Sequence, residues 1–165
     1  MAIQLASQLK RITAKISLTK FLKHQKNLIV QYFFPEDVVV GKNLTDTPRI
    51  KSLNEIENND LILDIGPKTI EKIILIIESS KTLLWNGPAG YFENINFANG
   101  SFEIAKKIVE KNKNNSIYSV AGGGDTIAVL NQIDAVDKFN FVSTAGGAFL
   151  EYLEGKDLPG ITALN

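Results

Sequence analysis

Apolar positions recur at helical spacing near the start of the chain. Leu5, Leu9, Ile12 and Ile16 share one face, which predicts a helix within residues 3–23. The run "LIVQYFF" (28–34) is β-branched and aromatic and is halted by Pro35, as expected of a buried strand. "DVVVG" (37–41) predicts another short strand, and residues 42–60 are polar and turn-rich, as in a surface excursion. From residue 61 one unit recurs: a short apolar run, a glycine, then helical periodicity. "LILDIG" (61–66) precedes a helix with Ile70, Ile73, Ile74 and Ile77 on one face. Pro67 suits its first turn, where the missing N–H has no helical acceptor anyway. "TLLWNG" (82–87) leads through a loop to a helix near 97–112. "SIYSVAGGG" precedes "DTIAVLNQ", and "FNFVSTAGG" precedes "AFLEYLEG", with Gly155 placed to end the helix.

Continuous apolar strands alternating with helices predict an α/β fold of three layers, a mostly parallel sheet with helices on both faces. Ligands of such sheets gather outside the carboxyl ends of the strands. Three strand ends carry special residues: Asn86-Gly87-Pro88, Gly122-Gly123-Gly124-Asp125 and Ser143-Thr144-Ala145-Gly146-Gly147. They are expected to converge on one edge. Glycines before a helix make a tight turn, and they also let an anion reach the unpaired N–H groups of the first turn. Two such loops at equivalent positions favour a phosphate-bearing ligand. Asp125 has two readings, a helix cap or a carboxylate that meets phosphates through a magnesium ion.

Composition narrows the chemistry. The 165 residues suit one domain, and 44% hydrophobic with 22% charged residues is ordinary for a globular chain. The absence of cysteine excludes thiol catalysis and zinc–thiolate sites and fits a reducing, cytoplasmic setting. Formal net charge is zero, yet all 18 acids lie from Glu36 onward, while residues 1–35 hold Lys10, Arg11, Lys15, Lys20, Lys23 and Lys26. A solvated basic helix face accounts for that asymmetry better than a transit segment, which would be Arg-rich. No apolar run approaches the roughly 18 residues of a membrane span. Neither a membrane nor a nucleic-acid partner is expected. "GGGDT" is no Walker loop, since no Gly-Lys-Ser/Thr follows, and no dinucleotide fingerprint, since position 127 is Ile. His24 is the lone histidine, and Trp85 sits among apolar neighbours as a core residue would.

The pieces "PEDVVV", "LILDIGPKTIE", "LLWNGPAGYFE", "SVAGGGDT" and "VSTAGGAFLEYLEGKDLPGITAL" together resemble one family, phosphoglycerate kinase, in its order and near its spacing. The resemblance divides the chain into a basic, partly helical segment (1–34) of weak match and a partial nucleotide-binding domain (35–165). It implies that Asn86, Gly87, Pro88 and Gly90 line a nucleotide cleft and that Glu93 reaches the ribose hydroxyls. It implies that Gly122, Gly123, Gly124 and Thr126 present a helix end to the phosphates, with Asp125 taking the metal-linked role. Gly146 and Gly147, with Gly124, would face the transferring phosphoryl group. The implied ligands are Mg2+ with ADP or ATP. The implied reaction passes a phosphoryl group between 1,3-bisphosphoglycerate and ADP, giving 3-phosphoglycerate and ATP. The triose-binding domain of the family has no counterpart here. A truncated chain, inactive alone, is therefore expected, the alternative being a non-catalytic remnant or one half of a split enzyme with a partner chain. "ITAKISLTK" only distantly echoes the family's basic glycine loop, and Ala145 stands where the family has a glycine.

Overall fold

The computed structural model describes residues 31–164. The helix expected within 3–23, the lone His24 and the first half of "LIVQYFF" lie outside the described residues. The second half departs from expectation: Gln31–Phe34 form no strand, and Tyr32, Phe33 and Phe34 are exposed. The neighbouring strand is flanked on both sides by other strands, so it offers this run no ladder to join.

The described residues build two three-stranded sheets. The first contains β1 (Asp37–Gly41), β2 (Arg49–Ser52) and β3 (Leu61–Ile65) in the order β2-β1-β3, all antiparallel. The second contains β4 (Thr82–Asn86), β5 (Tyr118–Gly122) and β6 (Phe141–Ser143), parallel and in sequence order. The α/β class with a parallel sheet is thus as expected. The difference is that "LILDIG" pairs with β1 rather than with the parallel strands. "RIKS" in the expected surface excursion is a strand as well, paired from Asp37↔Ser52 to Val40↔Arg49.

Helix α1 (Pro67–Ser79) opens with Pro67 behind Gly66, as its sequence predicts, and turns Ile70 and Ile77 inward. Helix α2 (Asn99–Lys113) lies alongside it and buries Ile104, Ala105 and Ile108. Helix α3 (Gly124–Gln132) follows β5 directly and buries Val129 and Leu130. These side chains meet Trp85 and Ala121 from the parallel sheet in one apolar cluster. Trp85 stacks on Phe139 with ring centroids 6.3 Å apart, so it is a core residue. On the opposite face of the sheet, Phe149 of α4 (Gly147–Leu153) packs against Phe141 and beside Gly122. Helices therefore flank both faces. Gly155, at φ +78°, ends α4 in the left-handed conformation that glycine accepts, and a last turn of helix, α5 (Pro159–Thr162), follows.

Candidate functional site

The parallel register settles where the three special strand ends lie. Asn86 pairs with Gly122, and Gly122 pairs with Ser143, so the last residues of β4, β5 and β6 form one row. The loops that follow start from that row. The convergence expected from alternation alone is met.

Gly123 fixes the middle loop. Its φ is +93°, and a Cβ there would lie 2.7 Å from the Asn86 Oδ1. Both the backbone conformation and the close approach of Asn86 therefore demand glycine. Behind it, the buried Thr126 joins two of the loops: its hydroxyl oxygen accepts from the Gly87 N–H at 2.7 Å. Gly124 opens α3 with nothing within 4 Å of where a side chain would start, and the same is true of Gly87, Gly146 and Gly147. The backbone along this edge is open to an approaching group.

Asp125 lies in the first turn of α3, not at its cap. The cap position is Gly123, and no side chain caps the helix. The Asp125 carboxylate is exposed and, among the described residues, makes no hydrogen bond. The capping reading is thereby excluded. An acid in the first turn of a helix still interacts favourably with the helix dipole.

A cavity of about 440 Å³ adjoins this edge. Asn86, Gly87, Pro88, Gly90, Glu93 and Asp125 line it, together with Leu44, Ile62 and Asp64 from the antiparallel sheet side. It brings together the residues expected from the "WNGPAGYFE" stretch and Asp125. Gly122, Gly123, Gly124, Thr126, Gly146 and Gly147 are not among its lining residues.

The loop that walls the cavity is held from several sides. The Tyr91 N–H donates to the Leu63 carbonyl at 2.6 Å, and the Ala89 N–H donates to the hydroxyl of buried Ser101 at 3.0 Å. Asn94 Nδ2 donates to the Leu44 carbonyl at 2.8 Å. Asp64 accepts from the Gly100 N–H at 2.8 Å and from its neighbour Ile65 N–H at 2.8 Å. Burial pushes the Asp64 carboxyl up to about 6, against the pull of those two amides. Sequence reasoning assigned no role to Asp64 or Ser101. The available signal for Asp64 was an acid inside the apolar run "LILDI".

Farther out, the base of the β1–β2–β3 sheet is tied by charge. Burial opposes ionisation of Asp60, but Lys51, the Glu57 N–H and Lys42 outweigh it and hold the carboxyl below its ordinary value. Asp37 behaves similarly: burial raises it, and the Thr69 hydroxyl with the Thr69 and Lys68 N–H groups lowers it further. Asp37 thus caps α1 from another element.

Fold and edge define an α/β protein of the kind whose ligands gather where parallel strands end. Comparison with known proteins narrows this. The family model for phosphoglycerate kinase matches residues 5–156. The chain is 45% identical over 146 residues to the phosphoglycerate kinase of Orientia tsutsugamushi (strain Ikeda), covering 87% of this chain and 36% of that protein. It is 47% identical over 150 residues to that of Buchnera aphidicola subsp. Schizaphis graminum (strain Sg), covering 88% and 38%. The structure of phosphoglycerate kinase from Coxiella burnetii superposes with a TM-score of 0.79 at 36% identity, covering 89% of this chain and 38% of that one. The chain belongs to the phosphoglycerate kinase family. It spans a little over a third of the length of these relatives.

Proposed function

We propose that this chain carries the nucleotide side of a phosphoglycerate kinase, the part that holds ADP or ATP while a phosphoryl group passes to or from a triose phosphate. The observation that carries the proposal is the row Asn86–Gly122–Ser143, from which open glycine backbone and an uncommitted carboxylate rise beside one cavity.

In this reading Asn86, Gly87, Pro88 and Gly90 form the wall against which the nucleoside lies, and Glu93 accepts from its ribose hydroxyls. Gly122 closes β5, Gly123 turns the chain, and Gly124 and Thr126 begin α3. The first-turn N–H groups of that helix then face phosphate oxygens at the positive end of its dipole. Thr126 acts from behind, through the hydroxyl that fixes Gly87. Gly146 and Gly147 offer open backbone to the group in transit. Phosphoryl transfer depends on positioning and on stabilising charge spread over the phosphoryl oxygens, so fixed backbone donors can carry much of it.

A nucleotide-borne Mg2+ suits the donor set. Magnesium takes one or two carboxylates and fills its shell with phosphates and water. Asp125 supplies one exposed carboxylate with no competing partner, and no cluster of three metal-ligating side chains exists among the described residues. When bound, the ion neutralises the repulsion between phosphates and Asp125.

The transfer needs a second substrate held in line with the first. We place the triose-phosphate site outside residues 31–164 and propose a cytoplasmic setting. A coupled assay with MgADP and 1,3-bisphosphoglycerate tests this. The chain alone should turn over far more slowly than a full-length family member, and a full-length rate would show that these residues hold both substrates.

A further inference from the structure

Asp64 is only 2% exposed, yet three segments meet at its carboxylate. It closes β3. It receives the Gly100 N–H from the first turn of α2, a helix with no side-chain cap of its own. It also sets how near the cavity loop can come: a Cβ on Gly90 would lie 2.5 Å from both Asp64 Oδ1 and the Leu63 carbonyl, and one on Gly100 would collide with the same oxygen. Glycine at both positions lets the loop and the helix close on the carboxylate. The cavity loop between Gly87 and Glu93 is therefore pinned at Gly90 and Tyr91 to the end of β3. An acid in a buried strand is costly unless something uses it. Its hydrogen-bond partners here are the Gly100 and Ile65 amides, and its Oδ1 packs closely against Gly90 of the loop.

We propose that Asp64 is a positioning residue for the cavity: by holding the start of α2 at Gly100 and packing against Gly90 of the loop that Tyr91 ties to β3, it sets the affinity for a nucleoside diphosphate through the loop rather than by contact. The proposal rests on the nucleotide reading above. An ionised carboxylate accepts both amides strongly, whereas its protonated form surrenders acceptor capacity. Other charged groups in the surroundings are engaged or distant in role. Asp37 on β1 is committed to Thr69 and Lys68, Glu103 on α2 is paired with Lys106, and Glu93 and Asp125 line the cavity without bonding to Asp64.

The test compares wild type, Asp64→Asn and Asp64→Ala by calorimetric titration with MgADP at pH 7.5 and 5.5, and by amide hydrogen exchange without nucleotide. We expect at least a tenfold weaker Kd for Asp64→Ala at pH 7.5 and a smaller loss for Asp64→Asn. Lowering the pH should weaken wild-type binding several-fold more than it weakens Asp64→Asn, a comparison in which the nucleotide's own titration cancels. Exchange should accelerate at Tyr91 and Gly100 while Ala121 and Val129 stay protected. Should Asp64→Ala fail to fold, Asp64→Asn carries both readouts. Wild-type affinity in the variants, an identical pH response, or unchanged protection at Tyr91 and Gly100 would overturn the proposal. If wild type itself binds no MgADP, the nucleotide reading fails and the affinity claim with it, while exchange still decides whether Asp64 positions the loop.

Discussion

Asp64 makes the folded state pH-dependent in a definite direction. Its folded pKa is raised to about 6 from 3.8, so between those values the native protein binds more protons than the unfolded chain. Stability from this group is thus highest in acid, falls as pH rises through that window, and is level above it. Two pH units correspond to about 3 kcal/mol. Asp37 and Asp60 act oppositely, since their lowered values stabilise at neutral pH and lose that effect only as pH drops below the ordinary carboxylate range. Urea unfolding at pH 5 and pH 7 should show Asp64→Asn lacking most of the wild-type gain on acidification. A parallel response in the two proteins would count against the assignment. Gly123 provides a second residue-scale prediction. Gly123→Ala must hold a methyl at φ +93° against Asn86, which should cost about 1–3 kcal/mol in denaturant unfolding and weaken nucleotide binding. Glycines 122–124 were conspicuous in the sequence. Which of them is obligatory was not, because that depends on where Asn86 lies.

At the scale of elements, the helices and parallel strands were legible because each carries a local signal. Pro67 behind Gly66 begins α1, the isoleucine stripe orients it, and Gly155 ends α4. Strand β2 was hidden because "RIKS" has a single apolar residue, and Ile50 is 62% exposed, so no burial pattern marks it. The antiparallel partnership of β3 was hidden for a different reason: pairing is a long-range choice that a strand's own pattern does not encode. Contacts between elements show the same limit. Lys111 lies in the polar run "KNKNN", yet it is buried and its Nζ donates to the carbonyls of Ile77, Glu78 and Ser80 at the end of α1. Lys111→Met leaves those carbonyls without their donor and should cost about 1–3 kcal/mol, measured by denaturant unfolding. Thr126→Val strips the acceptor from the Gly87 N–H while keeping shape. It should destabilise by a similar amount and loosen the cavity loop, seen as faster exchange at Gly87.

At the scale of the whole molecule, the candidate site lies where two sheets are bridged. The parallel sheet supplies the row of strand ends and, through the helix that follows β5, the exposed Asp125, whereas the antiparallel sheet and its β1–β2 connection supply the far wall through Ile62, Asp64 and Leu44. The sequence made the first half readable, since "WNGP", "AGGGDT" and "STAGG" each end a strand. The second half needed the fold, because nothing local in "LILDIG" says that its acid will meet Gly90 and Gly100. The chain is 45–47% identical to family members over more than four-fifths of its length, and the proposed nucleotide edge is the central claim about this protein. Calorimetric titration with MgADP, comparing the native chain with Asp125→Ala, tests that claim most directly. The account predicts saturable one-to-one binding by the native chain and a Kd at least tenfold weaker, about 1.4 kcal/mol or more, in Asp125→Ala. No heat of binding from the native chain, or equal affinity in the two proteins, would contradict it.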